Sequence, residues 1–197
     1  MVGAISQKTG RGSVAFPRKN IRDLTAMNHD MRSPGTSHLD RKGVQVRLRG
    51  GVALEGTIHI PSGQPLLHFL GLRKHFLNLT AVRYADPPQN ASPLAHLSVR
   101  LSNVVWVIPV DTSLHVSAGT SLMESSRMVE LQLVDDLTLN VALNLAQEQR
   151  MSDYLDSNAT FIPLWDAKVL SSSKVIERLA VNHEAILAIR ELEVDQG

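Results

Sequence analysis

Hydrophobic and polar residues alternate along two stretches of this 197-residue chain, and each stretch turns at a short polar motif. In the first, apolar alternation over Val44–Leu48 and Leu54–Ile60 flanks the turn "RGG". In the second, alternation over Val129–Leu133 and Leu137–Leu145 flanks the turn "DD". Strict alternation is typical of half-buried β-strands, so each stretch predicts a β-hairpin.

The two stretches also match each other without a gap. Val44–Leu79 aligns with Val129–Leu164 at one constant offset, and the match continues through the turn and the segment after it. A gapless match of this length predicts an internal duplication. The identical pairs are Val44/Val129, Leu48/Leu133, Leu54/Leu139, Gln64/Gln149, Leu70/Leu155, Phe76/Phe161 and Leu79/Leu164.

Each repeat continues past its hairpin with the same three signals. Apolar residues at helical spacing over Leu66–Leu70 and Met151–Leu155 predict a short helix in each repeat. The phrases "FLNLTA" and "FIPLWDA" then predict a third strand. The closing segments, Leu97–Val110 and Leu179–Leu192, are predicted to be mostly β, although the second is also rich in helix formers.

The composition along the chain predicts four regions. Residues 1–42 lack a sustained period and carry Gly, Ser, Pro and Arg throughout, which predicts a basic flexible arm with one short ordered turn near Ile21–Met27. The first repeat unit is predicted at 43–111, a Ser-rich linker at 112–127, and the second unit at 128–193.

The first unit resembles the Sm-like family of small β-barrels. The segment Val46–Ile58, "VRLRGGVALEGTI", is similar to the family's opening motif, with Gly51 and Gly56 at its glycines. Asn78 in "FLNLTA" matches the family's Asn, and Arg100 in "VRLSNVVWV" matches the Arg of the closing Arg-Gly motif, where Leu101 replaces the Gly. The resemblance implies a mainly β fold of two tandem Sm-like or SH3-like barrels. The short helix predicted in each unit is an insertion where the family has a tight connection. The phrase "PSGQPL" also resembles uncharacterised bacterial two-repeat proteins.

The same strand pattern leaves one alternative fold open. The five segments of each unit could form a single continuous sheet shared between the units instead of two closed barrels. A glycine inside a strand, such as Gly56, favours tight coiling or the close approach of another backbone, and requires no ligand.

Composition narrows the classes of function. The chain has no cysteine, which excludes disulfides and Cys-ligated zinc. It has no long apolar run and no signal-like start, so we expect a cytoplasmic protein without a membrane partner. Eight Lys/Arg against three Asp/Glu in 1–42, six against three in 43–118, and six against thirteen in 119–197 give a basic front and an acidic back.

Candidate catalytic and ligand-binding motifs are weak. "GVALEG" at 51–56 has the glycine spacing of a phosphate loop but lacks its lysine. His59, His68, His75 and His96 lie seven or more residues apart, without metal-ligand spacing. The pair Asp135–Asp136 suits a hairpin turn better than acid–base chemistry. We therefore predict no enzyme activity, no cofactor and no metal.

The leading functional hypothesis is a non-enzymatic interaction or assembly protein, in which exposed sheet edges bind partners and self-association is expected. The basic first unit of one chain could face the acidic second unit of another, giving rings or filaments. Alternatively, the units pack on each other within a monomer or form a twofold dimer.

Nucleic-acid binding is the alternative function, and small-molecule sensing is a third, for which no residues can be named. The candidate nucleic-acid-binding residues are Arg18, Lys19 and Arg22 in the basic arm and Asn78 and Arg100 at the Sm-like positions.

Overall fold

The computed structural model describes residues 38–86, 92–117, 124–146, 148–156, 160–172 and 174–192. The predicted turn near Ile21–Met27 and nearly all of the predicted arm lie outside these residues. The strands are β1 (Leu39–Leu48), β2 (Ala53–Pro61), β3 (Phe76–Tyr84), β4 (Leu94–Arg100), β5 (Val104–Pro109), β6 (Glu124–Leu133), β7 (Thr138–Ala146), β8 (Phe161–Val169), β9 (Val175–Asn182) and β10 (Ile186–Glu191). Two helices, α1 (Leu66–Gly71) and α2 (Met151–Asp156), and two 3₁₀ turns, Leu101–Asn103 and His183–Ala185, complete the described elements.

All of these strands belong to one antiparallel sheet, in the order β10-β6-β7-β8-β9-β5-β1-β2-β3-β4. The mainly β class is confirmed, but the sheet is not closed. The prediction of two closed barrels therefore has to be corrected to a continuous open sheet, the alternative that the strand pattern allowed. The reason is that β5 pairs with β1 on one side and with β9 on the other, so it has no side left to close its own half.

The order of elements is the same before and after residue 117. The elements that begin at Leu39, Ala53, Leu66 and Phe76 have counterparts that begin at Glu124, Thr138, Met151 and Phe161, with the same offset in residue number as the sequence alignment. From Leu97 onward the offset is slightly smaller and again constant. Leu97, Arg100 and Val104 have the counterparts Leu179, Asn182 and Ile186, because Phe76 pairs with Arg100 as Phe161 pairs with Asn182. We call β1–β5 the first half and β6–β10 the second half, and residues related by these offsets equivalent.

The boundaries of the halves differ from the predicted ones. β1 begins at Leu39, inside the predicted arm, and β6 begins at Glu124, inside the predicted linker. Part of that linker is also packed, because Leu114 and Val116 are buried in the core of the first half. The carbonyl groups of His115 and Val116 accept hydrogen bonds from the first amides of α1, at 2.8 and 2.9 Å. The linker thus satisfies amides that a short helix leaves without intrahelical partners.

The predicted turns and short helices are confirmed. Gly50 and Gly51 have φ of 79° and 85° in the β1–β2 turn, and Asp135 and Asp136 have φ of 61° and 54° in the β6–β7 turn. Left-handed backbone at consecutive turn residues is what tight hairpins require, and Gly and Asp tolerate it. The Asp pair is therefore placed by turn geometry, as the sequence indicated.

Gly56 lies where β3 bends across β2. The β2–β3 pairing shifts register between Glu55 and Thr57, and Ala81 on β3 has a φ of 50°. A Cβ atom on Gly56 would lie 3.3 Å from both Leu79 Cβ and Val82 Cγ2. The close approach of β3 explains this glycine without a ligand, as expected from the sequence.

We expect Gly56→Ala to lower the free energy of unfolding by about 1–3 kcal/mol, because the added methyl group overpacks a contact that is already tight. Gly43→Ala on β1 is the matched control. Its Cβ would meet only Val110 Cβ, at an ordinary 3.6 Å, so we expect no loss of stability. Urea denaturation of both variants measures the difference; equal effects would contradict the argument.

Candidate functional site

The junction between the two halves is the pairing of β5 with β9. Trp106 lies opposite Val181 and Val107 lies opposite Ala180. The side chains cross the junction in both directions. Val105 and Trp106 of the first half are buried in the core of the second half, whereas Phe161 and Ala180 of the second half are buried in the core of the first. Neither core is complete without residues from the other half.

Asn182 is a polar side chain buried at the junction, with 1% of its surface exposed. Its Nδ2 donates hydrogen bonds to the carbonyl groups of Leu101 and Val104, both at 2.9 Å, and its Oδ1 accepts one from the amide of Glu184 at 3.0 Å. The amide group thus joins the end of β9 to the 3₁₀ turn and β5 of the first half. A buried amide with these partners specifies position as well as adding stability.

The hairpin turns make further polar contacts between the two halves. Arg49 donates from Nε to the Ser102 carbonyl at 2.9 Å and from Nη2 to the Glu184 carbonyl at 2.6 Å. The amide of Gly50 donates to Asp135 Oδ2 at 2.9 Å, which joins the two equivalent turns. These exposed contacts reinforce the register that β5 and β9 set.

The two outer strands, β4 and β10, are the free edges of the sheet, since each pairs with a single neighbour among the described strands. They are the equivalents of β9 and β5, the two strands that form the junction. Side chains that are buried at the junction have exposed apolar equivalents at the edges. Val105 is buried and its equivalent Leu187 is 68% exposed; Phe161 is 4% exposed and its equivalent Phe76 is 51% exposed.

The two short helices show the same difference. In α1, Leu66, Phe69 and Leu70 are buried, and the helix contacts β8 of the other half. Among the described side chains of α2 none is buried, and Met151, Tyr154 and Leu155 are only partly covered. The helix that contacts the other half is thus buried on its apolar face, whereas its equivalent is only partly covered.

The candidate nucleic-acid residues separate in the structure. Arg18, Lys19 and Arg22 lie outside the described residues. Asn78 and Arg100 lie on the neighbouring strands β3 and β4, both exposed, and Asn78 Oδ1 accepts a hydrogen bond from Ser98 Oγ at 2.8 Å. The fold therefore brings Asn78 and Arg100 to one edge of the sheet.

A basic cleft of about 280 Å³ adjoins Arg100 and continues to the junction. Arg73, Lys74 and His75 line it on the first half, and Asn182 and Glu184 line it on the second. The guanidinium of Arg73 lies 4.3 Å from the centre of the Phe69 ring, which holds it against the helix. The sequence pattern does not single out Arg73 or Lys74, because they adjoin Arg100 only once β3 and β4 pair.

The junction residue Trp106 lines a second cavity, of about 340 Å³. Ile108 and Ile176 add apolar surface to its wall, and Arg47 and Lys174 add positive charge. The strand pattern gives no reason to select any of these side chains, which is why no residues could be named for a small-molecule site.

The carboxyl group of Glu55, on the inner strand β2, has a lowered pKa. A hydrogen bond from Gln45 at 2.8 Å and one from Arg83 at 2.6 Å lower the pKa of the Glu55 carboxyl below its ordinary value. The triad spans β1, β2 and β3, so the ionised carboxylate stabilises their register.

Within the described ranges, no group of three or more His, Asp or Glu side chains is placed to hold a metal ion. No helix in the described part of the chain is long and apolar enough to cross a membrane.

Asn182, Phe76 and Leu187 are the site residues that the sequence alone did not reveal. Phe76 belongs to one of the identical pairs, but identity does not reveal that one partner is buried and the other exposed. Asn182 stands opposite Arg100 in the aligned closing motif. The change from an arginine in the first unit to an asparagine in the second is the feature of the sequence that distinguishes this position.

We expect Asn182→Ala to lower the free energy of unfolding by about 2–4 kcal/mol, because it removes the partner of two carbonyl groups and one amide in a buried setting. Asn103→Ala, an exposed position in the first 3₁₀ turn, is the matched control and should change stability by less than about 0.5 kcal/mol. Chemical denaturation measures both, and a neutral Asn182→Ala would contradict the role of the amide.

Comparison with known proteins adds no relative to this description. A scan against protein-family models, a search of curated proteins and a search of solved structures each found no match for the chain. The resemblance to Sm-like barrels therefore stays a prediction drawn from Gly51, Gly56, Asn78 and Arg100.

Proposed function

We propose that this chain is a non-enzymatic assembly protein, built by duplication of one five-stranded unit, that binds protein partners through its two free sheet edges. The observation that carries the proposal is the difference between equivalent positions. Apolar residues that are buried where the halves meet have exposed equivalents, Leu187 and Phe76, where the sheet ends. An uncovered apolar surface beside an unpaired strand is typical of a binding site for another strand.

The backbone of the edges supports the same proposal. A free edge presents a row of unpaired amide and carbonyl groups, and strand addition satisfies them while side-chain pockets supply specificity. Proteins that avoid such pairing place charges or prolines along their edges. β10 begins with "ILAI" and carries its charges only at Arg190 and Glu191.

Charge would orient the partners. Residues 43–118 carry six Lys/Arg against three Asp/Glu, whereas residues 119–197 carry six against thirteen. Opposite charges on two docking surfaces accelerate and orient association more than they strengthen it. The distribution of charge along the chain thus favours a basic first half meeting an acidic second half.

We expect the chain to show a concentration-dependent mass above 21.6 kDa by light scattering, and the double variant Phe76→Lys/Leu187→Lys to remain at the mass of one chain. Lysine at both sites adds charge to surfaces that must lose water on association. Val110→Lys is the control, because Val110 is 59% exposed but follows β5, which is an inner strand of the sheet. A parent chain that stays monomeric at every concentration would refute the proposal.

Nucleic-acid binding is the second candidate, favoured by the basic cleft that Arg73, Lys74, His75 and Arg100 line together. Three of these side chains carry or can carry positive charge beside Arg100, where the sequence had indicated only one cation. Such a cluster can neutralise phosphates without base-specific contacts. Arg18, Lys19 and Arg22 would add further phosphate contacts from the arm.

For this candidate, Lys74→Glu/Arg100→Glu should weaken the binding of a single-stranded oligonucleotide and reduce the dependence of affinity on salt, because phosphate contacts are lost. Lys168→Glu/Lys174→Glu makes the same change in net charge at exposed lysines of the second half. Fluorescence anisotropy at several salt concentrations measures both; equal losses would indicate a general charge effect and remove the cleft from consideration.

A further inference from the structure

We infer that the occupant of the free edge β4 is strand β10 of a second copy of this chain, seated as β5 is seated on β9 within one chain. The inference rests on the proposed function and identifies its partner. β10 is the equivalent of β5 and β4 is the equivalent of β9. Equivalents of the two surfaces that form the internal junction are therefore present again at opposite ends of the same sheet, where no described strand pairs with them.

The internal junction sets the register of the proposed contact. Trp106 opposite Val181 becomes Ala188 opposite Val99, and Val107 opposite Ala180 becomes Ile189 opposite Ser98, since each residue is replaced by its equivalent in the other half. The directions also agree, because β5 and β9 are antiparallel. The same antiparallel strand pairing, in the same register, thus describes the internal junction and the contact between copies.

β10 carries apolar side chains at the two positions from which β5 enters the neighbouring core. Val105 and Trp106 are buried in the second core, and their equivalents Leu187 and Ala188 are exposed. On the receiving side, Leu97 is only partly covered in the first core, while its equivalent Leu179 is fully buried. Leu187 and Ala188 of one copy would cover Leu97 of the next.

Phe76 supplies the reciprocal contact. The side chain of its equivalent, Phe161, is buried in the core of the first half, which also contains the apolar face of α1. Phe76 is 51% exposed, and the partly covered residues Met151 and Leu155 lie on α2, the equivalent helix. Phe76 of one copy would therefore pack against α2 of the copy that donates β10.

Arg100 takes the place of Asn182 in the contact between copies. Asn182 donates to the carbonyl groups of Leu101 and Val104, whose equivalents are those of His183 and Ile186. Arginine carries five N–H donors and no acceptor, so it can supply both bonds from a longer side chain. The exposed Arg100 then has a role in assembly that does not involve nucleic acid.

The contact is heterologous, because it joins two different edges. Each added copy again presents a free β4 at one end and a free β10 at the other, so the assembly grows until it closes into a ring or extends as a filament. Twofold pairing of β4 with β4, or of β10 with β10, would leave the complementary surface unused.

Two variants with one blocked surface each test this arrangement. Phe76→Lys leaves β10 and its surface intact, and Leu187→Lys leaves β4 and its surface intact. Each variant alone should stay at the mass of one chain, and an equimolar mixture should give a species of twice the 21.6 kDa chain mass that grows no further. Light scattering behind size exclusion measures the three samples.

The outcomes separate this inference from the proposed function. A 1:1 complex that forms only on mixing supports pairing of β10 with β4. If the parent chain associates but either variant alone forms a dimer, or mixing adds nothing, the inference fails and edge-mediated assembly stands. If the parent chain is monomeric, both fail.

Cysteine cross-linking tests the register, and the chain has no native cysteine to interfere. Directly opposite residues in an antiparallel pair lie about 4.5–5.5 Å apart at Cα, within disulfide range. Ser98→Cys/Ile189→Cys should therefore give a ladder of covalent multimers on a non-reducing gel. Ser98→Cys/Glu191→Cys is the control, two residues out of register and about 7–8 Å apart. Equal yields from the two variants would overturn the register.

Ala188→Trp provides a gain-of-function test. It restores at the outer contact the indole that Trp106 buries in the internal junction, so we expect association to tighten about tenfold or more. Sedimentation at several concentrations measures the change for the parent and the variant. Unchanged or weaker association would count against the equivalence of the two contacts.

Discussion

β5 pairs with β9, and this pairing unites the two halves in one sheet and completes both cores. A five-stranded half on its own has two unpaired edges and a core that is open at each of them. Joining β5 to β9 pairs one edge of each half, and side chains such as Trp106 and Phe161 complete the neighbouring core. The same pairing determines what remains, because it leaves β4 and β10 as the outer strands.

The junction combines the burial of apolar side chains with the hydrogen bonds of the buried Asn182 amide. Non-directional burial of Val105, Trp106 and Phe161 favours contact between the halves but tolerates small sliding movements. The hydrogen bonds of Asn182 do not tolerate such movements, because its side-chain amide has to meet two carbonyl groups and one backbone amide at once. Burial supplies most of the stability, and the hydrogen bonds of Asn182 select the register in which it is realised.

We expect the proposed outer contact to be weaker than the internal contact for two physical reasons. Trp106 has the smaller equivalent Ala188, and the buried amide of Asn182 has the charged equivalent Arg100. Within one chain, the halves also meet at the high effective concentration that a short linker imposes, which contact between copies lacks. A permanent junction inside the chain and a reversible one between chains would follow from these differences.

Local structure followed from the sequence because its causes are local. Alternation predicted the strands, Gly50–Gly51 and Asp135–Asp136 predicted the turns through their tolerance of positive φ, and the spacing of Leu66, Phe69 and Leu70 predicted α1. The equivalent positions could likewise be read from the gapless alignment of the two repeats. The extent of the predicted linker was less accurate, since the burial of Leu114 and Val116 depends on a core built from distant strands.

The amino-acid pattern is therefore sufficient to predict the strands, their turns and the two-part order of elements. It does not predict that β5 joins β9 instead of closing its own half, because alternation is the same for a strand in a barrel and a strand in an open sheet. The pairing of β5 with β9 gives a different degree of burial to residues that are identical in the sequence alignment. Phe76 and Phe161 are identical in type and equivalent in position, yet the partner strand covers one and leaves the other exposed.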